Sequence, residues 1–179
     1  VYKRQGLGMK RILFINPSLR LHSKTKFLPV GIASVMTYLQ SQGIKFDFLD
    51  IDIDDIEDTD VQLYLEKNRY DIVLTGSIVT HYKWMKWLTK TIRYYNPKSI
   101  IIVGNSVAGS IPTLFLTNSD ADIAIMGEGE LSTSETIFRI LSDEDIGNIE
   151  GIAYKKSNGT VQVNPKRKGL KKLDDFPMI

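Results

Sequence analysis

The chain has 179 residues, 42% of them apolar and 25% charged, and a formal net charge of +2. This length supports one domain with a hydrophobic core, and the small net charge argues against a nucleic-acid partner. The apolar runs are too short to span a membrane, no secretory signal is recognisable, and the lack of cysteine excludes disulfides, thiolate zinc sites and cysteine-ligated iron–sulfur clusters within these residues. We therefore expect a cytoplasmic protein.

The first eight residues differ from the rest of the sequence. Val1-Tyr2-Lys3-Arg4-Gln5 resembles the translated end of a transposon used to prepare sequencing libraries, and a credible start codon follows at Met9. We expect residues 1–8 to be a sequencing or cloning scar and the folded domain to begin at Met9.

From Met9 onward, short apolar runs alternate with amphipathic segments. Continuous apolar runs predict buried strands at residues 11–15, 45–50, 71–75, 99–103 and 121–126. Between and after them, helical spacing of apolar residues predicts helices at residues 30–42, near 61–67, and at 82–95, 111–116 and 131–141. Gly43 is well placed to end the first helix.

This alternation predicts an α/β fold. Strands that are apolar throughout, rather than at every second residue, are typical of a parallel sheet covered by helices on both faces. Five such strands favour the flavodoxin-like, doubly wound order 2-1-3-4-5 of a Rossmann-like domain.

The last part of the chain has a different pattern. Two strand-like runs, at residues 151–155 and 160–163, flank Ser157-Asn158-Gly159, and Asn-Gly between strands predicts a β-hairpin. A basic segment and Leu173-Asp174-Asp175-Phe176-Pro177 follow, which is typical of a linker. We therefore divide the chain into the scar, a binding domain at residues 9–145, and a hairpin and linker at residues 146–179 that lead into a missing domain.

An acidic stretch follows the second predicted strand. It contains Asp52, Asp54, Asp55, Glu57, Asp58 and Asp60. A solvated loop is the simpler interpretation, because a metal site needs convergent geometry that a charged loop rarely supplies.

Four groups of polar and small residues follow the predicted strands. In doubly wound sheets, ligands bind outside the carboxyl ends of the strands, near the point where the strand order reverses. Glycines there permit close backbone approach, and hydroxyls and amides can hold a polar ligand. The candidate cofactor-binding residues are Asn16, Pro17, Ser18, Gly76, Ser77, Thr80, Gly104, Asn105, Ser106, Gly127, Glu128 and Gly129.

No catalytic set is recognisable. The only histidines are His22 and His81, and neither belongs to a spaced metal-binding pattern; a nucleophile elbow and a P-loop are also absent from the sequence. We assign no catalytic and no metal-ligating residue, and we expect no catalysis from this fragment alone.

Four passages resemble the N-terminal cobalamin-binding domain of B12-dependent radical-SAM enzymes. The first is the opening strand and turn at residues 12–18, and the second runs from Leu28-Pro29-Val30-Gly31-Ile32 to Phe48-Leu49-Asp50. The third is Met126-Gly127-Glu128-Gly129-Glu130, similar to the family's turn after strand five. The fourth comprises the hairpin and Leu173–Pro177. In this order, the passages cover nearly all of the chain after Met9.

The resemblance implies that a corrin ring lies on the carboxyl edge of the sheet, with its nucleotide tail beside strand one. It also implies that a radical-SAM barrel beyond Ile179 binds a 4Fe-4S cluster through three cysteines and cleaves S-adenosylmethionine. Ser77 and Thr80 match family positions, as does Gly104. Asn105 replaces a second glycine, and Thr75-Gly76 departs from the usual pair. No Asp-x-His-x-x-Gly stretch is present, so the resemblance implies no histidine beneath cobalt.

Three hypotheses remain at this point. The chain is the cobalamin-carrying module of a radical-SAM methyltransferase or cyclase, or a degenerate domain that only docks against the barrel, or a free-standing flavodoxin-like binding domain. A Cys-x-x-x-Cys-x-x-Cys stretch encoded shortly after Ile179 would favour the first two, whereas a natural stop codon there would favour the third.

Overall fold

The structure, a computed structural model, describes residues 10–19, 21–26 and 28–167. The scar predicted at residues 1–8 and the linker predicted at residues 173–177 lie outside these ranges. In the described ranges, the strands are β1 (Ile12–Asn16), β2 (Asp47–Asp50), β3 (Ile72–Gly76), β4 (Ile100–Gly104), β5 (Ile123–Ile125), β6 (Ile152–Lys155) and β7 (Val161–Val163).

The helices lie between the strands, as the sequence pattern predicts. They are α1 (Val30–Ser41), α2 (Asp58–Lys67), α3 (Tyr82–Tyr95), α4 (Asn105–Gly109), α5 (Pro112–Thr117) and α6 (Gly129–Leu141). A short 3-10 helix, Val79–His81, precedes α3. No helix among the described residues combines the length and the apolar character that a membrane span requires.

The strands form a single sheet in the order β2-β1-β3-β4-β5-β6-β7. The first five strands pair in parallel, and this confirms the predicted order 2-1-3-4-5. β6 pairs with β5 and with β7 in antiparallel fashion. The predicted hairpin is therefore present, and it extends the main sheet as two further strands.

Helices cover both faces of the sheet. One face packs against α2 through α5, with a core that includes Leu13, Met85 and Phe115. The other face packs against α1 and α6, and its core includes Phe14 and Ile137. Successive residues of a strand point to opposite faces, so the position of a residue in its strand decides which helices it meets.

Most element boundaries agree with the sequence pattern to within one or two residues, and α3 agrees at both ends. Gly43 has a φ of +76° just after α1, the conformation expected of a glycine that ends a helix. The pattern did not predict α4, because its five residues, Asn-Ser-Val-Ala-Gly, are too few to show helical spacing.

Candidate functional site

The carboxyl edge of the sheet carries a row of residues that share one face. Asn16 pairs with Asp50, and Gly76 pairs with Gly104. Ile15 of β1 pairs with Thr75 of β3. The next residues of the two strands, Asn16 and Gly76, are therefore neighbours across the sheet. By the same register, Gly104 lies beside Ile125. Read from β2 to β5, the row on the α1 and α6 face is Asp50, Asn16, Gly76, Gly104 and Ile125.

The first two members, Asn16 and Asp50, form a polar pair that is almost fully buried. Asn16 Nδ2 donates to Asp50 Oδ1 over 2.9 Å, and the backbone N–H groups of Asp52 and Ile53 donate to the same oxygen. Asn16 Oδ1 and Asp50 Oδ2 have no hydrogen-bond partner among the described residues. Buried acceptors without a partner are costly, so this pair can accept hydrogen bonds from a donor that the described residues do not provide.

The next two members, Gly76 and Gly104, form a glycine pair without side chains. A Cβ atom at Gly76 would lie 3.0 Å from the carbonyl oxygen of Gly104, so the two strand ends need glycine to approach this closely. A Cβ at Gly104 would meet only Ile125, at 3.9 Å. Gly104 therefore has open space above it, and Gly76 lies between it and the polar pair.

The segment after β3 is hydrogen-bonded to α4, which follows β4 directly. The Val107 N–H donates to the Ser77 carbonyl oxygen over 3.0 Å, and the Val79 N–H donates to Ser106 Oγ over 3.2 Å. Ser77 is buried, whereas Thr80 is exposed on the 3-10 helix. These contacts bring the candidate residues that follow β3 and β4 together at the edge.

Asn105 adopts a left-handed backbone conformation. Its φ is +64°, and its Oδ1 accepts the Ser106 N–H over 2.6 Å. Asparagine tolerates this conformation better than most residues, although less well than glycine. The local turn therefore survives the replacement of glycine by asparagine.

The two glycines after β5 have different structural roles. Gly127 has a φ of +76°, which requires glycine, and a Cβ there would meet nothing within 4 Å. Gly129 starts α6, and a Cβ on it would lie 3.0 Å from Val35 Cγ2 of α1. Glu128 precedes the helix, and Glu130 in the first turn accepts a bond from Ser34 Oγ over 2.5 Å. This turn thus fixes the distance between α1 and α6.

The acidic stretch holds the loop that follows β1. Ser18 Oγ donates to Asp52 Oδ1 over 2.5 Å, His22 Nε2 lies 2.8 Å from Glu57 Oε1, and Lys26 forms an ion pair with Asp55. Hydrogen bonds from Lys26 and from the His22 backbone lower the pKa of Asp55. The solvated-loop interpretation was wrong for Asp52, which is buried, because Ser18 covers and bonds it.

Neither histidine is placed as a metal ligand. His81 stacks on Trp84 with 4.7 Å between ring centroids, and its Nδ1 is 3.1 Å from Ser77 Oγ. Partial burial lowers the pKa of His81. No group of three histidine, aspartate or glutamate side chains among the described residues could hold a metal ion.

One surface groove, of about 550 Å³, lies away from this edge. Its lining includes Lys86, Trp87 and Lys90 of α3 and Asp120, which precedes β5 on the amino side of the sheet. None of the twelve candidate residues lines it. The candidate site is therefore defined by the row and its loops rather than by the groove.

Residues 18–137 match the family described as the B12 binding domain. This match covers more than half of the chain. The chain belongs to the B12-binding domain family. The assignment agrees with the resemblance carried by the opening strand, the first helix and the Gly-Glu-Gly-Glu turn.

Two curated relatives are similar to this B12-binding domain. It is 31% identical over 144 residues to an uncharacterized protein of Methanocaldococcus jannaschii, in a match that covers 80% of this chain and 26% of the relative. It is 22% identical over 187 residues to the cytidylyl-2-hydroxyethylphosphonate methyltransferase of Streptomyces wedmorensis, with 93% of this chain and 35% of that enzyme covered. The domain thus spans about a quarter to a third of these relatives.

Solved structures share its fold. The radical S-adenosylmethionine methyltransferase TsrM of Kitasatospora setae, with cobalamin and a 4Fe-4S cluster bound, matches with a TM-score of 0.74 and 17% identity, over 90% of this chain and 30% of that one. The cobalamin-dependent S-adenosylmethionine radical enzyme OxsB, with aqua-cobalamin bound, gives 0.74 and 19% identity, over 89% and 23%. At these identities the likeness shows the fold alone.

The structure brings most of the sequence-predicted candidates to one edge. Asn16, Gly76 and Gly104 share the row, and the other nine follow the carboxyl ends of β1, β3, β4 and β5, either in loops or in the first residues of helices. Sequence reasoning missed Asp50, whose buried side chain completes the polar pair. Its position at the end of a strand beside β1 was the available indication, but an aspartate at a strand end is too common to be distinctive.

Proposed function

We propose that this chain is the cobalamin-binding module of a B12-dependent radical-SAM enzyme of the methyltransferase or cyclase type. The catalytic barrel, with its 4Fe-4S cluster and S-adenosylmethionine, would belong to the remainder of a longer protein. When bound, cobalamin supplies a redox-active cobalt centre held in a corrin ring. This chain would bind and orient it.

The residues present fit such a ligand. The observation that carries the proposal is the row itself, in which the glycine pair lies next to the buried polar pair. Two oxygen atoms of that pair are unmet, meaning that they have no hydrogen-bond partner among the described residues. A planar group over Gly104 would have Ile125 beside it, and the polar pair can accept hydrogen bonds from any donor on the edge of that group. The nucleotide base of a corrinoid is the flat part that would lie at this position beside β1.

The loops around the edge also suit a large, partly apolar macrocycle. Leu19, Val30, Ile78 and Val79 are among the exposed large hydrophobic residues, and all four lie at carboxyl ends of strands or at the start of α1. Exposed apolar side chains clustered beside polar groups are typical of ligand-binding surfaces. They would cover one side of the corrin ring.

The positions of the histidines support binding without a protein imidazole beneath cobalt. His22 Nε2 contacts the Glu57 carboxylate, and His81 stacks on Trp84 and contacts Ser77 Oγ through Nδ1. We expect electron paramagnetic resonance of the reduced Co(II) form to lack nitrogen splitting from a protein imidazole. Splitting that His22→Ala or His81→Ala abolishes would contradict this part of the proposal.

The test of the proposal is hydroxocobalamin binding by the full chain, measured by equilibrium dialysis with detection of corrin absorbance. Gly104→Ala adds a methyl group where the structure has room for it, so we expect the variant to fold normally and to bind at least about tenfold more weakly. Gln40→Ala, exposed at the other end of α1, is the control and should bind as the unmodified chain does.

The docking alternative also has one supporting observation. The unmet oxygens of the polar pair are closed to water in this structure, as they would be in a domain that no longer admits a ligand. If the unmodified chain binds no corrinoid at millimolar concentration while remaining folded, the docking role replaces the proposal. Weak binding that Gly104→Ala leaves unchanged would place the ligand elsewhere.

A further inference from the structure

The polar pair lacks hydrogen-bond donors and not acceptors. Asn16 already donates through Nδ2, and the two atoms that remain unmet are the amide oxygen of Asn16 and the second carboxylate oxygen of Asp50. An amide oxygen and an ionised carboxylate oxygen only accept hydrogen bonds. A group that completes this pair must therefore donate, and an anionic phosphate does not fit there.

The bases found in corrinoid nucleotide tails differ in this property. Dimethylbenzimidazole, the base of cobalamin, carries methyl groups and has no N–H once it is joined to its ribose. Adenine carries an exocyclic amino group with two N–H donors. Of these two bases, only adenine can donate hydrogen bonds to the acceptors of the polar pair.

The geometry of the row makes the base the part of the ligand concerned. Asn16 is the immediate neighbour of Gly76, and Gly76 pairs with Gly104, which has open space above it. A flat ring over the glycine pair would turn one edge toward Asn16. The amide side chains of a corrin ring would lie farther out, among the exposed loop residues.

We infer that the polar pair of Asn16 and Asp50 selects a corrinoid whose nucleotide base carries an exocyclic amino group, in preference to cobalamin itself. This inference rests on the proposed function and specifies its ligand more closely. The two oxygen atoms are closed to water in this structure, so binding of the base would have to open the packing around them.

The experiment compares three corrinoids on the full chain by equilibrium dialysis: adenine-containing cobamide, cobalamin, and cobinamide, which lacks a nucleotide. We expect the adenine-containing form to bind about fivefold or more tightly than cobalamin, the gain typical of a completed buried hydrogen bond. This comparison needs no variant, so a failure to fold cannot obscure it.

Asp50→Asn is the decisive variant. It can keep all three hydrogen bonds on Oδ1 while it turns the unmet acceptor into a donor. We expect the preference for adenine to disappear and cobinamide binding to remain unchanged. Asp60→Asn, which removes the same charge from the exposed first turn of α2, should keep the preference.

The outcomes separate the inference from the proposed function. Equal affinities for the two cobamides, or tighter binding of cobalamin, would overturn the inference and leave the proposed function in place; a buried water would then be the donor to the pair. Weaker cobinamide binding in Asp50→Asn would also overturn it, because the corrin amides would be the donors. If none of the three corrinoids binds, the proposed function itself fails.

Discussion

Buried polar groups are hydrogen-bonded at the amino end of the sheet, whereas some of them lack partners at the carboxyl end. At the amino end, Asn96 accepts the Tyr70 N–H over 2.8 Å and donates to the Leu65 carbonyl oxygen over 3.1 Å, and Ser99 Oγ donates to the Tyr70 carbonyl oxygen. At the carboxyl end, the polar pair leaves two buried oxygens without a partner among the described residues.

This difference separates stability from function. Satisfied buried networks hold neighbouring segments in place, whereas unmet buried groups cost free energy that folding has to offset. The amino end therefore contributes to the stability of the fold. At the carboxyl end, the two oxygen atoms of the polar pair can still accept hydrogen bonds. Thr75 Oγ1 is a third unmet atom, but it lies with Ile15 on the opposite face of the sheet and does not belong to the row.

The largest expected effect lies at the amino end. Asn96→Ala removes both bonds and leaves the buried Tyr70 N–H group unpaired, whereas the Leu65 carbonyl oxygen keeps its bond from Arg69, so we expect a loss of about 1–3 kcal/mol in the free energy of unfolding. Urea denaturation measures it. Corrinoid affinity should stay within about twofold, since the proposed site is at the other end of the strands.

Asn118→Ala is the matched control for this prediction. Asn118 also donates through Nδ2 to a helix carbonyl oxygen, that of Leu114, but at the exposed end of α5. We expect a loss of about 0.5 kcal/mol or less. If the two variants were equally stable, burial would not be the reason for the importance of Asn96.

At the carboxyl end, the turn after β5 should affect binding more than stability. Gly127→Ala forces a side chain into a positive φ, at a cost of about 1–2 kcal/mol. Gly129→Ala pushes α6 away from Val35 of α1. We expect each to weaken cobalamin binding more than about tenfold, as corrin absorbance in equilibrium dialysis would measure.

Glu128→Gln is the comparison for these two variants. A carboxylate at the start of a helix is stabilised by the helix dipole by about 0.3–1 kcal/mol, which accounts for an acidic residue here without a catalytic role. We expect folding and affinity to change little. If Glu128→Gln impaired binding more than either glycine variant, a direct contact between this carboxylate and the ligand would replace the positioning role.

A smaller effect is expected at Asn105. Its φ of +64° suits glycine better, so Asn105→Gly should leave the free energy of unfolding within about 0.5 kcal/mol of the original, and Asn105→Ala should lower it by about 1 kcal/mol. Thermal unfolding measures both. Equal stability of the glycine and alanine variants would show that the left-handed conformation imposes no strain.

The sequence predicted the architecture better than it predicted the site. Strand order and helix positions follow from apolar periodicity, which is a local property of the chain, and the turn glycines follow from their positions after strands. Asp50 could not be distinguished in this way, because its burial depends on the register between β1 and β2. The same holds for Asp52, whose partner Ser18 is 34 residues away.

The two ends should also respond to acid in separate pH ranges. At the carboxyl end, burial lowers the pKa of His81 below its ordinary value of 6.5. Between the pKa of His81 in the folded chain and its ordinary value in the unfolded chain, the unfolded chain binds more protons. The contribution of His81 to the free energy of unfolding is therefore fully present above about pH 6.5 and is lost as the pH falls. At the amino end, a hydrogen bond from Tyr70 and another from Arg11 lower the pKa of Asp47 below 3.8, so its contribution is lost only in stronger acid.

Trp84 makes the first of these transitions visible. The His81 ring stacks on it with an interplanar angle of 1°, and a protonated imidazole quenches indole emission at this distance. In a Trp87→Phe background, where Trp84 is the only tryptophan, emission should decrease as the pH falls through a midpoint below 6.5. His81→Phe keeps an aromatic partner but cannot titrate, so its emission should stay constant over that range and its unfolding free energy should lose this part of its pH dependence. A midpoint above 6.5 in the protein that retains His81 would contradict this prediction. It would mean that a nearby carboxylate such as Asp58, which raises the pKa of His81, has a larger effect than burial, which lowers it.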